Sequence, residues 1–215
     1  MYGLAKGRKM SNIKQIVNPV FLVIDMQKDF CSEDGLFKRK GYKISRMKNI
    51  APRIVQMIVE CKRLSIPVLF IKSYYDKKYL PKNIYEMYKR KGLERLCCSG
   101  TEGAKLYKIN PKDATATFIK HRYDAFTNPD LERWLCKHHI KTLILSGCQT
   151  DVCVDCTARS GFMKGFNIVA LKDCLASSDY FSHYTALAFM KKYCAAIIRS
   201  SRTPLRRVMK GDNNV

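Results

Sequence analysis

The chain has few acidic residues and few histidines, and it has no long apolar run. Its 215 residues include 18 Asp and Glu, four His and one Trp, against 40 Lys and Arg. No apolar stretch approaches the roughly 20 residues of a membrane-spanning helix, so we expect no membrane association. The N-terminus is polar and basic, and its first apolar run, residues 20–24, is too short for a secretory signal. We therefore expect a cytoplasmic protein.

The ten cysteines lie within predicted strands and helices, not in a loop framework that disulfides would connect. We therefore expect reduced thiols, as in intracellular proteins. The net charge of +22 suggests a polyanion partner such as nucleic acid. However, the basic residues are spread along the whole chain, without the interleaved aromatic motif of an RNA-binding module. A lysine-rich surface is therefore favoured over a nucleic-acid partner.

Strand and helix patterns alternate along the chain without an internal repeat. Buried strands are predicted at residues 20–24, 67–71, 116–120, 142–145, 167–171 and 195–198. This alternation predicts one α/β domain, a parallel sheet with helices on both faces. We place the domain at residues 19–200, between a basic arm (1–18) and a basic tail (201–215). Residues 72–112 are the least regular segment, and we expect loops and short helices that cover the functional site.

The most informative stretch is residues 142–154, which reads as a buried strand, a tight turn and the start of a helix. Thr150 or Asp151 can cap this helix. Cys153 then lies in the first turn, where unpaired N–H groups and the helix dipole favour a thiolate nucleophile. The alternative is that Cys153 is an ordinary small buried residue, as most free cysteines are.

Three potentially reactive side chains share one position relative to the sheet. Asp25, Lys120 and Cys153 each lie where a predicted strand ends, or just beyond it. In a parallel sheet these ends meet at one edge, where ligands bind. A carboxylate can take the thiol proton and return it to a leaving amine, and a lysine favours the charged forms of both groups. Backbone N–H groups of the turn at residues 148–152 can face a developing oxyanion.

These motifs resemble the isochorismatase-like cysteine hydrolase superfamily. The resemblance spans roughly residues 18–200 and depends on residues 23–30, 119–126 and 146–159. It implies a six-stranded parallel sheet in the order 3-2-1-4-5-6 and a homodimer or homotetramer. It also implies that Asp25 is the general acid/base, Lys120 the supporting cation and Cys153 the nucleophile.

The resemblance further implies a cis peptide bond at Cys148–Gln149 and an oxyanion site formed by the N–H groups of Gln149 and Cys153. Members that hydrolyse isochorismate lack the cysteine, so its presence favours hydrolysis of a C–N bond. Residues 98–104 and 120–123 are closest to the ureidoacrylate and N-carbamoyl amidohydrolase branch. The expected substrate is a small amide or ureido compound, and Arg122 is the candidate to bind a carboxylate on it. The alternative role of Arg122 is a structural salt bridge. Further candidates for substrate contact are Gln27, Phe30 and Tyr123, and the alternative for the two aromatic residues is a place in the core.

Several alternatives compete with this assignment. Nicotinamidases resemble the pattern but carry an Asp and two His as metal ligands, and residues 72–120 contain no histidine. We therefore predict no catalytic metal and no other cofactor. Cys153 and Cys156 form a Cys-x-x-Cys pair, which a thioredoxin-like oxidoreductase would use, and oxidation of Cys156 could switch off the enzyme. A catalytically inactive binding relative is a further alternative.

Overall fold

The computed structural model of the chain describes residues 16–202 and Leu205. The predicted arm at 1–18 lies outside the described residues except for 16–18, and the predicted tail at 201–215 except for 201, 202 and 205. Ile16 is buried, and the carbonyl of Asn18 accepts a hydrogen bond from the N–H of Lys141. Leu205 is fully buried, and its N–H bonds to Glu60. Packed structure thus extends a little beyond residues 19–200 at both ends.

Six strands form one parallel sheet in the order β3-β2-β1-β4-β5-β6. The predicted fold class and strand order are therefore confirmed. The strands are β1 (Pro19–Ile24), β2 (Val68–Ser73), β3 (Ala116–Lys120), β4 (Thr142–Cys148), β5 (Asn167–Ala176) and β6 (Ala195–Ile198).

Three strands continue past their predicted carboxyl ends. β2 continues two residues beyond Ile71, because Ser73 pairs with Lys120 at the end of β3. β4 and β5 extend together to Cys148 and Ala176, since their ladder resumes after a register shift beyond Leu145. Apolar periodicity marks the buried centre of each strand, whereas ladder hydrogen bonds set its end. These extensions carry polar residues to the carboxyl edge of the sheet.

Within residues 16–202, seven α-helices flank the sheet, together with short 3-10 turns. They are α1 (Lys28–Cys31), α2 (Leu36–Arg39), α3 (Ser45–Arg63), α4 (Lys82–Arg90), α5 (Pro129–Lys137), α6 (Asp155–Met163) and α7 (Tyr180–Tyr193). Pro129 occupies the first turn of α5, and residues 72–112 contain loops and short helices, as predicted. α7 begins at Tyr180, where the Asp179 carboxylate caps it at the N–H of Ser182. Within the described residues, no helix has both the length and the apolarity needed to cross a bilayer.

The sheet separates two apolar layers. Side chains alternate along β1, so Phe21 and Val23 pack with α3 on one face while Val20 and Leu22 face α5, α6 and α7 on the other. β1 and β4 are buried along their whole length, as expected for central strands covered on both faces. The carboxyl ends of these two strands are therefore held rigidly.

Gly147 in β4 lies against the backbone of β1. Its φ is +109°, and a Cβ atom there would lie 1.9 Å from the carbonyl oxygen of Ile24. We expect Gly147→Ala to lower the free energy of unfolding by at least about 3 kcal/mol, through backbone strain and overlap together. Urea unfolding followed by circular dichroism measures this.

Gly165→Ala is the matched control. Gly165 also has a positive φ, +89°, but open space surrounds the added methyl group. This variant should lose only the strain energy, about 1–2 kcal/mol. Equal losses in the two variants would contradict the close approach of β4 to β1.

Candidate active site

Asp25, Lys120 and Cys153 lie together at the carboxyl edge of the sheet. Asp25 directly follows β1, Lys120 ends β3, and Cys153 lies in the turn after β4. The Nζ atom of Lys120 is 2.8 Å from Asp25 Oδ2 and 3.3 Å from Cys153 Sγ. All three side chains are buried, with 0%, 1% and 4% of Asp25, Lys120 and Cys153 exposed. The topology thus brings residues from distant parts of the chain into direct contact.

Asp25 is held in an unusual backbone conformation. Its φ is +53°, and its N–H bonds to the carbonyl of Ile71 in the neighbouring strand. One carboxylate oxygen, Oδ1, accepts a hydrogen bond of 2.9 Å from Ser73 Oγ. The other, Oδ2, faces Lys120 as an ion pair and has no aligned hydrogen-bond donor within the described residues. Oδ2 is therefore the oxygen available to accept or return a proton.

The ammonium group of Lys120 is surrounded by polar atoms. It donates to Ser73 Oγ at 2.7 Å, to the Tyr75 hydroxyl at 3.3 Å and to the Arg122 carbonyl at 3.1 Å. Burial alone would lower the pKa of Lys120, but the negative charge of Asp25, and that of Cys153 once its thiol is ionised, outweigh burial and raise the pKa. Lys120 therefore carries a positive charge throughout the neutral pH range.

Burial raises the pKa of the Cys153 thiol to about 12. Lys120 lowers this pKa, as the sequence analysis expected, but desolvation and the nearby carboxylate of Asp25 outweigh the lysine. Burial thus favours the protonated thiol, whereas the helix position favours the thiolate. The thiol proton must leave as the sulfur reacts, and the nearby carboxylate of Asp25 is the candidate acceptor.

The turn that carries Cys153 differs from the predicted α-helix start. A π-helical turn spans Thr150–Val154, and the regular helix α6 begins only at Asp155. The predicted caps are also wrong. The Thr150 hydroxyl contacts His183 Nδ1 at 2.9 Å, and the Asp151 carboxylate accepts from Ser177. These contacts fasten the turn to the start of α7.

The peptide bond between Cys148 and Gln149 is cis, the isomer implied there by the family resemblance. The carbonyl of Gln149 accepts hydrogen bonds from the N–H groups of Val152 and Val154, on either side of Cys153. The side chain of Gln149 points elsewhere, because its Oε1 accepts from the N–H of Ser178. These bonds fix the backbone around the two N–H groups predicted to bind an oxyanion.

Ser73 and Tyr75 belong to the site, although the sequence analysis did not single them out. Both residues follow the predicted end of β2 and lie within residues 72–112, which lack a regular sequence pattern. Ser73 bridges Asp25 and Lys120, while the Tyr75 hydroxyl lies 3.7 Å from Cys153 Sγ. A prediction that β2 extends as far as β3 would have identified Ser73, because Ser73 pairs with Lys120 in the sheet.

Gln27 and Phe30 lie where they stabilise the structure around the site rather than where they would contact a substrate directly. The amide of Gln27 donates to the carbonyls of Ser73 and Ala104 and accepts from the N–H of Ser73. These bonds use both amide hydrogens and connect the segment that follows β1 to the end of β2. Phe30 is 3% exposed and packs edge-to-face on Phe37 at 5.0 Å, inside the apolar layer.

Arg122 borders a cavity of about 410 Å³ beside Lys120. Its Nη1 donates to the carbonyls of Tyr79 and His121, which leaves the other edge of the guanidinium for a further partner. Tyr123 is half-buried against Tyr88 of α4, with ring centroids 6.5 Å apart. Cys153 does not border this cavity.

Within the described residues, no three His, Cys, Asp or Glu side chains are grouped to hold a metal ion. The absence of a catalytic metal stays a prediction of the sequence. All ten cysteines are free thiols. Cys156 is half-buried, and burial raises the pKa of its thiol.

His183 of α7 contacts the turn that carries Cys153, and its burial predicts a pH dependence of stability. Only 5% of the residue is exposed, and burial lowers its pKa from 6.5 to about 4, with Arg46 acting in the same direction. Between these pH values the unfolded chain binds a proton at His183 while the folded protein does not. Stability from this residue is complete above pH 6.5 and is lost as the pH falls toward 4.

We expect this linkage to remove about 2–3 kcal/mol of unfolding free energy between pH 7 and pH 4.5. Urea unfolding of the parent protein and of His183→Gln at both pH values isolates the contribution of this residue. The substitution should reduce the pH dependence by that amount. An identical pH dependence in the two proteins would show that His183 is not held neutral.

Comparison with known proteins gives consistent matches. The family model described as Isochorismatase domain matches residues 19–202. The ureidoacrylate amidohydrolase RutB of Methylorubrum extorquens is 26% identical over 168 residues, covering 72% of this chain and 68% of that protein. The RutB of Acinetobacter baylyi is 25% identical over 187 residues, covering 80% of this chain and 76% of that protein.

Solved structures share the fold. A cysteine hydrolase from Pseudomonas syringae pv. phaseolicola has a TM-score of 0.79 at 19% identity, covering 90% of this chain and 93% of that one. Nicotinamidase PncA from Bacillus subtilis has a TM-score of 0.70 at 27% identity, covering 85% of this chain and all of that one (100%).

Proposed function

The chain belongs to the isochorismatase-like family of cysteine hydrolases, and from that premise we propose that it hydrolyses the C–N bond of a small amide or ureido compound through a covalent acyl-Cys153 intermediate. The observation that carries the proposal is the contact of Lys120 Nζ with both Asp25 and Cys153, at 2.8 and 3.3 Å. A buried acid, ammonium and thiol in contact have the parts needed for acyl transfer.

Catalysis begins when Cys153 Sγ attacks the substrate carbonyl and its proton passes to Asp25 Oδ2. The protonated resting thiol makes this proton transfer part of the attack. The N–H groups of Gln149 and Cys153 hold the tetrahedral oxyanion. Lys120 keeps its charge and holds the carboxylate and the sulfur in place.

The intermediate collapses as the C–N bond breaks and Asp25 returns its proton to the leaving nitrogen. The product on the enzyme is a thioester or a thiocarbamate. Asp25 then removes a proton from water, which attacks the carbonyl and releases Cys153. Because Cys153 is only 4% exposed, a substrate reaches it only after covering side chains shift.

The substrate class follows from Arg122 and from the RutB relatives. Among the residues that the structure describes, one edge of the Arg122 guanidinium stays unpaired at the cavity beside Lys120, and this edge suits a carboxylate. RutB is named for the hydrolysis of ureidoacrylate, which is a ureido acid of this kind. We place the activity in the cytoplasm, where Cys153 would stay reduced. A homodimer or homotetramer remains the expected assembly.

Release of ammonia across N-carbamoyl acids, ureido acids, maleamate-like acids and nicotinamide tests the proposal. We expect turnover of acidic ureido or N-carbamoyl compounds. Arg122→Gln should raise KM for them about 10- to 100-fold, the loss of a charged hydrogen bond worth about 1.5–3 kcal/mol. Arg133→Gln on the exposed face of α5 is the control and should leave KM unchanged.

Nicotinamide hydrolysis is the second candidate, because the match to nicotinamidase PncA is 27% identical over 85% of this chain. Preference for nicotinamide, with no effect of Arg122→Gln, would favour that activity. An isochorismate-type vinyl ether is a further alternative substrate. Failure to hydrolyse any compound would favour a catalytically inactive binding relative.

A further inference from the structure

Tyr75 is a buried polar residue that the mechanism above does not use. It follows β2, is 2% exposed, and its ring packs against Tyr88 with centroids 5.4 Å apart. Its hydroxyl lies 3.3 Å from Lys120 Nζ and 3.7 Å from Cys153 Sγ. A phenol this close to a nucleophilic sulfur either stabilises charge there or only fills space beside it.

Hydrogen-bond chemistry decides the direction of these contacts. The Lys120 ammonium can only donate, so the Tyr75 oxygen accepts from it. The single phenolic hydrogen is then left for Sγ, which lies within reach of a sulfur hydrogen bond. A donor that is itself bonded to a cation is polarised and donates more strongly. Lys120, Tyr75 and Cys153 therefore form a directional chain that ends on the sulfur.

We propose that Tyr75 is a further catalytic residue, whose hydroxyl donates a hydrogen bond to Cys153 Sγ and stabilises the negative charge that develops on sulfur. This inference rests on the proposed function for its place in the reaction. In the first step the thiol proton moves to Asp25 while the S–C bond forms. In the last step the S–C bond breaks, its electron pair returns to sulfur, and the sulfur regains the proton.

Tyr75 keeps its own proton throughout. Burial raises the pKa of the Tyr75 hydroxyl well above its usual value, and negative charge on Cys153, once its thiol is ionised, and on Asp25 raises it further. In the opposite sense, the hydrogen bond from Tyr75 lowers the pKa of the Cys153 thiol. Tyr75 thus acts as a fixed donor, distinct from Asp25, which exchanges the proton.

Tyr75→Phe separates this role from packing, because it keeps the ring and removes only the hydroxyl. The readout is the rate at which iodoacetamide alkylates Cys153 from pH 6 to 11, followed by mass spectrometry of the peptide that contains it. A one-unit rise in the thiol pKa reduces the thiolate fraction about tenfold. The more basic thiolate is about threefold more nucleophilic, so the net alkylation rate falls about threefold.

We expect this threefold deficit across the whole range from pH 6 to 11, because the pKa of the Cys153 thiol, about 12, lies above it. Tyr42→Phe is the matched control, a partly buried tyrosine stacked on Phe37 away from the site. It should alkylate at the parent rate at every pH. An unchanged or a faster rate in Tyr75→Phe would overturn the proposal, because removing the hydroxyl only opens space beside the sulfur, so altered access alone would speed alkylation.

The alkylation assay needs no substrate, so it distinguishes failure of this inference from failure of the proposed function. Slower alkylation in Tyr75→Phe without hydrolysis of any compound would support the sulfur contact and reject the amidohydrolase. An unchanged rate in an active amidohydrolase would reject the role of Tyr75 alone.

Discussion

Cys153→Ala is expected to reduce kcat/KM for the best ureido or amide substrate by about 10⁴-fold or more, because it removes the atom that forms the covalent bond. The substitution removes one sulfur atom from a buried site and leaves the Asp25–Lys120 ion pair intact. The protein should therefore fold normally, which circular dichroism will show. Ammonia release under saturating and limiting substrate measures both kinetic parameters.

Cys156→Ala provides a matched thiol control for this prediction. Cys156 lies about one helical turn from Cys153 and contacts neither Asp25 nor Lys120 among the hydrogen bonds and ion pairs of the described residues. A hydrolase that uses Cys153 alone retains its activity in Cys156→Ala. A dithiol mechanism loses activity in both variants, so equal losses would contradict the assignment, as would an active Cys153→Ala enzyme.

Lys120→Met is expected to abolish activity and to lower the free energy of unfolding by about 3–5 kcal/mol. Methionine fills a similar volume but leaves Asp25 as a buried carboxylate without its cation. Both side chains of this pair are fully buried, so solvent cannot replace the lost partner. Urea unfolding at pH 7 measures the stability, and ammonia release measures the activity.

The double variant Asp25→Asn with Lys120→Met tests the physical reason for this loss. Removing the carboxylate charge as well should restore about 2–3 kcal/mol of stability without restoring activity. Additive losses from the two substitutions would mean that the charges are not coupled. A Lys120→Met protein as stable as the parent would lead to the same conclusion.

The sequence predicts the convergence of Asp25, Lys120 and Cys153 because simple rules govern it. Each residue follows a strongly apolar strand, and parallel strands place their carboxyl ends at one edge of the sheet. The alternation of strands and helices likewise predicts the parallel sheet, and the resemblance supplied its order. Position along the chain was therefore enough to identify the catalytic candidates.

The position of strand ends does not predict contacts that depend on the direction of a side chain. Ser73 and Tyr75 follow a strand whose last residues are held by pairing with β3, not by apolar periodicity. Gln27 lies in the motif of Asp25, but the sequence could not show that its amide would bond to the backbone of Ser73 and Ala104.

The state of the Cys153 thiol also could not be predicted from position. The helix dipole and Lys120 both favour a thiolate, whereas burial opposes it and raises the pKa to about 12. Burial depends on the packing of residues from several parts of the chain around one atom. The local sequence shows the helix position and the lysine, which favour the thiolate, but it does not show the burial that opposes the thiolate.

Mass spectrometry of the acid-quenched enzyme during turnover tests the central claim most directly. With the best substrate of the ammonia-release panel, the account predicts a mass increase equal to the acyl or carbamoyl group, located by peptide mapping on Cys153 and absent from Cys153→Ala. Turnover without any adduct on Cys153 under rapid quench, or an adduct on another residue, would contradict the account.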